Sequence, residues 1–172
     1  MTRAELANYA FIAIGANLPG ASGSVRTTLD QAVDALRELS AAPLRVSPYY
    51  LSEPKDCPPG SPRYYNAVAA LKPRPSDTAL SLLLQLQAIE TRFGRQRSGL
   101  RNEARTLDLD LLTFSNENSN TPQLTLPHPR AHQRRFVLEP WIAIANDDWP
   151  LQGRTLGEWL RECADPPLIQ AI

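Results

Sequence analysis

The stretch Thr106-Leu-Asp-Leu-Asp-Leu-Leu-Thr-Phe114 combines an apolar strand pattern with two carboxylates. Its leucines and its closing phenylalanine are typical of a buried strand, which the carboxylates of Asp108 and Asp110 interrupt at alternate positions. Side chains two residues apart on a strand lie on the same face, about 6.6–7 Å apart along the backbone. The stretch therefore predicts a strand that presents two acidic groups side by side.

Several predicted elements precede this strand. Residues 9–16 alternate bulky and small apolar side chains before a run of turn residues, which predicts a buried strand. A helix is predicted from Ser24, because apolar residues recur at helical spacing behind a residue that can cap it. Residues 44–51 predict a strand in which Pro48 favours an edge or a bulge, and residues 66–72 predict another strand.

The most strongly periodic segment is a helix predicted over residues 76–94. Ser76 is its expected cap, and Gly94 is expected to end it. The helical spacing places five side chains near one side, namely Leu80, Leu83, Leu84, Gln87 and Glu90.

These elements follow the order βαββαβ. That order predicts an α+β, ferredoxin-like fold, in which two helices pack on one face of a mainly antiparallel sheet. In the C-terminal third, short additional helices are expected over residues 137–145 and 155–163. The polar run 115–121 predicts a hairpin turn.

Composition and charge narrow the class of protein. The 172 residues include 18 Lys and Arg against 18 Asp and Glu, so the formal charge is zero. The length predicts a single domain over residues 1–172. Zero net charge argues against nucleic acid or an anionic membrane surface as a partner, and no apolar run reaches membrane-spanning length. Because Cys57 and Cys163 lack zinc-ligand spacing and a disulfide is not expected, we expect a reducing, cytoplasmic compartment. We also expect a monomer.

The paired carboxylates suggest a metal site. Two like charges in an apolar strand are costly without a cation, and hard oxygen ligands beside phosphate suit Mg²⁺. An Asp-x-Asp pair alone also fits an exposed edge strand with a solvated polar face. The leucines that surround Asp108 and Asp110 favour a central strand instead.

Basic residues flank the carboxylate strand on both sides. Guanidinium groups bind phosphate oxygens bidentately and stabilise the charge that develops in phosphoryl transfer, although a solvated basic loop is the alternative. His128 lies beside prolines and also fits a structural hydrogen-bonding role. The upstream arginines are Arg95, Arg97, Arg101 and Arg105, and the downstream stretches are Pro127-His128-Pro129-Arg130 and Arg134-Arg135-Phe136.

Two aromatic residues, Tyr64 and Phe136, lie in loops of the predicted structure. A flat heterocycle fits between two such rings, while the amide of Asn66 pairs with its donor–acceptor edge. Taken alone, both rings also fit ordinary core positions.

Eight stretches occur together in order along most of the chain. They are Phe11-Ile-Ala-Ile-Gly-Ala-Asn17-Leu, Tyr50-Leu-Ser52-Glu-Pro54, Tyr64-Tyr-Asn66-Ala-Val, Gln87-Ala-Ile-Glu90, Gly94-Arg95-Gln-Arg97, Arg105-Thr-Leu-Asp108-Leu-Asp110-Leu-Leu, Pro127-His128-Pro-Arg and Arg134-Arg-Phe136-Val-Leu. In this combination the chain resembles the 6-hydroxymethyl-7,8-dihydropterin pyrophosphokinase family. The Arg-x-x-Asp-x-Asp core with its preceding arginines is far more specific than the carboxylate pair alone.

The resemblance implies transfer of pyrophosphate from ATP to the hydroxymethyl oxygen of 6-hydroxymethyl-7,8-dihydropterin, leaving AMP, in folate biosynthesis. It implies two Mg²⁺ ions held by Asp108 and Asp110, with Arg95 and Arg105 as catalytic arginines. The residues implied to line ATP are Leu83, Gln87, Glu90, Arg97, Leu111, Thr125, His128 and Arg134. Those implied to bind the pterin are Tyr64, Phe136 and Asn66, with Ser52, Glu53 and Lys55 in a neighbouring loop.

One segment departs from the family pattern. The family usually carries Trp-Gly-Pro before the arginine that matches Arg105, whereas this chain has Asn102-Glu103-Ala104. The arginine-rich loop over residues 94–105 holds only one large apolar residue, Leu100, so we expect it to be mobile alone and to close over bound substrates. Without the indole, closure should be less favourable.

Two alternatives stay open from the sequence. A paralogue would perform the same chemistry on a modified pterin, and a ferredoxin-like binding or regulatory module would keep the fold without turnover. The binding module would not need Asp108, Asp110, Arg95 and Arg105 together. Release of AMP from ATP in the presence of the pterin distinguishes an enzyme from such a module.

Overall fold

An antiparallel sheet forms the centre of the computed structural model, which describes residues 2–21, 23–54, 60–95 and 105–171. The first part of the chain forms α1 (Arg3–Leu6), β1 (Ala10–Ala16), α2 (Val25–Leu39), β2 (Arg45–Val46), β3 (Tyr50–Ser52), β4 (Tyr64–Leu71), α3 (Ala79–Arg92) and β5 (Asp108–Phe114). The second part forms β6 (Ser119–Asn120), β7 (Thr125–Leu126), a 3₁₀ turn (Ala131–Gln133), α4 (Arg135–Ala145), β8 (Pro150–Leu151), β9 (Arg154–Thr155), α5 (Leu156–Glu162) and β10 (Ile169–Gln170).

The strand order of the sheet confirms the predicted fold class. The order is β10-β3-β4-β1-β5, with β2 also paired to β4, and every neighbouring pair is antiparallel. The strands that α2 connects, β1 and β3, are therefore separated by β4, which is the split βαβ arrangement. With β2 and β3 as two parts of one strand, the chain follows the ferredoxin-like order βαββαβ.

Helices cover both faces of the sheet. Ile12 and Ile14 of β1 face a core formed with α2 and α3, whereas Phe11 faces a second core formed with α4. The Phe11 ring centroid lies 5.2 Å from that of Trp141 and 5.2 Å from that of Trp149. The expected C-terminal helices are thus present, and α4 covers the face that α2 and α3 leave open.

Helix α3 begins and packs differently from the prediction. Its N-cap is Thr78, whose hydroxyl accepts a hydrogen bond from the backbone of Ser81 while the Ser81 hydroxyl accepts one from Thr78. This reciprocal capping box satisfies two free N–H groups, so Ser76 is left in the preceding turn. Leu80 and Leu84 are exposed, and the side that packs on the sheet carries Leu82, Leu86, Ile89 and Glu90.

No helix within the described ranges is both long and apolar enough to cross a membrane.

The hairpin prediction over residues 115–121 is only partly right. Ser115 turns the chain after β5 with a positive φ of 49°. Polar residues then form β6, which pairs with β7 through a turn closed by backbone hydrogen bonds between Thr121 and Leu124. The polar residues of this run favour the turns on both sides of β6. Because β6 itself consists of polar residues, its sequence does not predict a strand.

A bulge divides the second strand of the fold at Pro48. The backbone N–H of buried Ser47 donates to the carbonyl of Val68 at 2.9 Å, and the Ser47 hydroxyl accepts from the N–H of Val68 at 3.0 Å. The hydroxyl therefore takes the place of a backbone carbonyl in the ladder beside β4. This bond keeps the central strand fully paired where β2 ends and β3 has not yet begun.

Replacement of Ser47 by alanine is expected to lower the free energy of unfolding by about 1–3 kcal/mol, because the buried N–H of Val68 would lose its acceptor. Urea denaturation measures this loss. Exposed Ser76 offers the matched control, since Ser76→Ala removes the same hydroxyl from a solvated turn. Equal stability of the two variants would contradict the role assigned to the bulge.

Candidate active site

The floor of the candidate site is a row of residues across three strands. Gly15 of β1 lies opposite Asn66 of β4 on one side and Asp108 of β5 on the other. A Cβ atom at Gly15 would lie 3.9 Å from Asn66 Oδ1 and 4.0 Å from Asp108 Cβ, so glycine leaves open the space between them. The next row on this face places Asp110 opposite Ala13. An amide and two carboxylates thus line one end of the face that α4 covers.

Two arginines form hydrogen-bonded ion pairs with the carboxylate of Asp108. Arg95 Nη1 donates to Asp108 Oδ1 at 2.5 Å, and Arg105 Nη1 donates to Asp108 Oδ2 at 2.5 Å. Burial is the largest single influence and lowers the pKa of Arg105, but the nearby negative charges, that of Asp108 first, and the hydrogen bond to Asp108 together outweigh it and raise that pKa. Since the three side chains are only 17–19% exposed, solvent screens these pairs weakly. Arg105 therefore stays charged, and both guanidinium groups are directed at one carboxylate.

Glu90 binds the guanidinium of Arg95. Its side chain is 2% exposed, and its Oε1 atom accepts hydrogen bonds from the Arg95 guanidinium and, at 2.7 Å, from the backbone N–H of Leu109. One carboxylate therefore joins the end of α3 to β5 and orients an arginine toward Asp108. Glu90 contacts protein groups, and its place in the nucleotide site stays a prediction.

Asp110 occupies the other half of the acidic pair. Burial and the nearby charge of Asp108 raise the pKa of Asp110, while His128 and Arg134 act in the opposite direction. Arg134 Nη1 lies 3.5 Å from Asp110 Oδ2. Burial also lowers the pKa of His128, which favours the neutral imidazole despite the pull of Asp110. A cation beside the two carboxylates would relieve their mutual repulsion.

The chemistry of this donor set suits Mg²⁺. The described residues contain no group of three or more Asp, Glu, His or Cys side chains that could enclose an ion. Mg²⁺ instead commonly uses one or two carboxylates together with phosphate oxygens and water. Asp108 and Asp110 on adjacent positions of one strand face fit that pattern, with arginines placed for the phosphates.

Of the predicted pterin residues, Ser52 lies on β3, Tyr64 and Asn66 lie on β4, and Phe136 lies at the start of α4. The Asn66 amide nitrogen donates to the Ser52 hydroxyl at 3.0 Å and to the carbonyls of Tyr64 at 3.2 Å and Tyr50 at 3.3 Å. These bonds fix the amide plane and leave Oδ1 as an acceptor beside Gly15.

The prediction that Tyr64 and Phe136 lie in loops is wrong, because Tyr64 begins β4 and Phe136 lies in the first turn of α4. Both are half-buried, and Phe136 packs against the second core. The guanidinium carbon of Arg134 lies 5.5 Å from the Phe136 ring centroid, within the range of a cation–π contact. Arg134 therefore contacts both the ring predicted to stack on the pterin and the carboxylate predicted to bind metal. Glu53 instead forms an exposed ion pair with Arg63, in which Oε1 of Glu53 lies 2.5 Å from Nη2 of Arg63.

The remaining predicted nucleotide residues are spread over three elements. Leu83 and Gln87 lie on α3, and Thr125 lies on β7. Leu111 follows Asp110 on β5 and is buried toward α2 and α3, on the opposite face from the carboxylates. Lys55, Cys57, Arg97, Arg101, Asn102-Glu103-Ala104 and most of the loop expected to close lie outside the described residues.

Sequence reasoning missed Asn17. It interpreted this residue as part of a turn, but the side chain is 2% exposed and bonds to the backbone of Arg105. A buried asparagine directly after a buried strand was the only available signal.

Comparisons with known proteins agree with this geometry. A family model described as 7,8-dihydro-6-hydroxymethylpterin-pyrophosphokinase (HPPK) matches residues 11–146. The 2-amino-4-hydroxy-6-hydroxymethyldihydropteridine pyrophosphokinase of Pseudomonas aeruginosa is 41% identical over 157 residues, which are 89% of this chain and 90% of that protein. The protein of the same name from Haemophilus influenzae is 37% identical over 162 residues, 94% of this chain and 96% of that protein.

A solved structure supports the fold. The crystal structure of wild-type Plasmodium falciparum HPPK-DHPS matches with a TM-score of 0.61 at 13% sequence identity over 90% of this chain, which spans 44% of that longer chain. The structural likeness shows the architecture, and the sequence matches extend through the carboxylate strand and the arginines around it. On this evidence the chain belongs to the 7,8-dihydro-6-hydroxymethylpterin-pyrophosphokinase family.

Proposed function

We propose that this chain transfers the pyrophosphoryl group of ATP to 6-hydroxymethyl-7,8-dihydropterin, giving AMP and the pterin diphosphate, a step of folate biosynthesis. The observation that carries the proposal is the convergence of Arg95 and Arg105 on Asp108, beside Asp110 and across Gly15 from Asn66. This arrangement would bring groups for binding phosphate, metal and the edge of a heterocycle together on one sheet face.

In the proposed reaction the hydroxymethyl oxygen attacks the β-phosphorus of ATP in line with the bond to the α,β-bridging oxygen. A new oxygen–phosphorus bond forms, the bridging bond breaks, and AMP leaves with the bridging oxygen. Asp108 and Asp110 would hold two Mg²⁺ ions, which neutralise phosphate charge and act as Lewis acids. Arg95 and Arg105 would stabilise the charge that spreads over the transferred oxygens.

The proposed nucleotide site extends from α3 to the start of α4. Neutral His128 would offer a nitrogen to the nucleotide, and Arg134 would bind phosphate from the downstream side. The other residues proposed to line ATP are Leu83, Gln87, Glu90, Arg97 and Thr125, together with the backbone of Leu111, whose side chain is buried on the opposite sheet face.

The proposed pterin site lies between Tyr64 and Phe136, with Asn66 at the ring edge. Since neighbouring residues hold the Asn66 amide nitrogen, its Oδ1 would accept from the pterin N–H groups. Ser52 positions the amide, and Glu53 and Lys55 would contribute from the adjoining loop. We further propose that the enzyme acts as a single-domain, cytoplasmic monomer.

The decisive experiment incubates the full chain with ATP, Mg²⁺ and 6-hydroxymethyl-7,8-dihydropterin and follows both products. We expect AMP and the pterin diphosphate in equal amounts, with neither formed when the pterin is omitted. Binding of both ligands without AMP would favour the non-catalytic module. Turnover only with a modified pterin would favour the paralogue, and ADP as the product would contradict pyrophosphoryl transfer.

Replacement of Phe136 by alanine is expected to weaken binding of the pterin about tenfold or more and that of an ATP analogue by less. The reason is that the change removes stacking and apolar contact from one ring face only. Calorimetry with each ligand measures the two affinities. Tyr9→Ala removes a half-buried ring at the opposite end of β1 and serves as the control. Equal losses for both ligands would contradict the proposed pterin site.

A further inference from the structure

A buried asparagine joins three segments that border the candidate site. Asn17 follows β1 directly, is 2% exposed and bonds to residues before β5 and before β4. We propose that Asn17 is a positioning residue. It holds Arg105 in the position needed for turnover and links that position to the segment that leads into β4. This inference rests on the proposed function, because it assigns the effect of Asn17 to the transfer reaction.

The main chain of Arg105 is bonded to the residues that follow β1. Asn17 Oδ1 accepts from the Arg105 N–H at 2.8 Å, and the Arg105 carbonyl accepts from the N–H groups of Asn17 at 3.1 Å and Leu18 at 3.2 Å. Both backbone polar groups of Arg105 are therefore bonded to the end of β1. The Cα position from which this guanidinium reaches Asp108 is set by these bonds.

Asn17 also bonds to the loop that leads into β4. Asn17 Nδ2 donates to the carbonyl of Pro62 at 3.4 Å, two residues before Tyr64. This bond is longer than the one to Arg105, so we expect it to contribute less. Even so, one amide contacts both the arginine segment and the strand that carries Tyr64 and Asn66.

Displacement of Arg105 would matter more for turnover than for substrate capture. Misplacing a catalytic group by about 1 Å can cost on the order of a hundredfold in rate. Loss of the Asn17 side chain removes one of the three backbone bonds and leaves the other two, so the expected fall in kcat is smaller, about tenfold. The KM for ATP, which many other groups determine, should change less than about threefold.

A double-mutant cycle separates positioning from general stability. Asn17→Ala is measured alone and in an Arg105→Gln background. If Asn17 acts through Arg105, its removal lowers kcat about tenfold in the native background and little in the variant background. Ser47→Ala is the matched control, because it removes a buried polar side chain away from the site and its effect should not depend on residue 105.

Asn17→Asp provides a second variant that keeps the shape and the acceptor for the Arg105 N–H. It is expected to retain more of kcat than Asn17→Ala does, although it loses the donor to Pro62. Amide hydrogen exchange at Arg105 gives a readout that needs no turnover, and it should accelerate in Asn17→Ala and stay slower in Asn17→Asp.

The outcomes distinguish this inference from the proposed function. Equal losses of kcat in both backgrounds, or unchanged exchange at Arg105 in Asn17→Ala, would overturn the positioning role of Asn17. Absence of AMP with the native chain would instead overturn the proposed function, while the exchange measurement would still report whether Asn17 anchors Arg105.

Discussion

Replacement of Asp110 by alanine is expected to lower turnover by more than about a hundredfold, because a single remaining carboxylate cannot hold the proposed pair of ions against the charge of ATP. Burial and the nearby charge of Asp108 raise the pKa of Asp110, so both disfavour its charged form. A bound cation would favour the charged form of Asp110. Removal of Asp110 should therefore weaken binding of divalent metal as well as turnover.

Two measurements check this result together. AMP formation under saturating substrates gives turnover, and Mn²⁺ binding followed by electron paramagnetic resonance gives metal affinity in the presence of a nonhydrolysable ATP analogue. Asp34→Ala is the control, since it removes an exposed carboxylate that pairs with Arg37 on α2. Near-native AMP formation by the Asp110 variant would contradict the metal assignment.

The face that carries the acidic pair could be predicted from local sequence because it depends on strand period alone. Asp108 and Asp110 alternate with buried leucines, and that alternation directs both carboxylates to one face whatever the neighbouring strands do. The α3 prediction depended on a less certain choice. Two apolar stripes run along that helix, and only packing against the sheet selects the one with Leu82 and Leu86 over the one with Leu80 and Leu84.

The roles of Glu90 and Asn17 could not be predicted from local sequence. Glu90 bonds to the N–H of Leu109, 19 residues away, and Asn17 bonds to the N–H of Arg105, 88 residues away. Each is a polar residue in an ordinary local context, a helix end or a turn. Only the tertiary fold brings them to buried N–H groups, where a hydrogen-bond acceptor is required.

The pairing of Asp108 with two arginines also appears only in the folded chain. Sequence reasoning assigned the carboxylates to metal and the arginines to phosphate as separate groups. In the structure they bind each other, with one guanidinium on each oxygen of Asp108. Metal and phosphate would therefore bind by exchange of partners: the arginines pass to phosphate oxygens and Asp108 becomes available to the cation.

This exchange predicts that Arg105→Gln changes turnover and metal binding in opposite directions. Turnover should fall about a hundredfold, because the charge that develops on the transferred phosphoryl oxygens loses a stabilising cation. Mn²⁺ affinity in the absence of nucleotide should rise about three- to tenfold, because one of the two cations that compete for Asp108 is removed; Arg95 still competes, so the rise stays modest.

Electron paramagnetic resonance of Mn²⁺ without nucleotide, set beside the AMP assay, tests both directions in one variant. Arg63→Gln removes the same charge from an exposed arginine that pairs with Glu53, so it separates a local effect at Asp108 from a change in net charge. If the two variants bind Mn²⁺ equally well, Arg105 does not compete with the metal. If Arg105→Gln binds Mn²⁺ more tightly and still forms AMP at the native rate, competition holds but Arg105 does not stabilise the transferred group. The combination of tighter metal and slower transfer is specific to a guanidinium that leaves the carboxylate for the phosphates during the reaction.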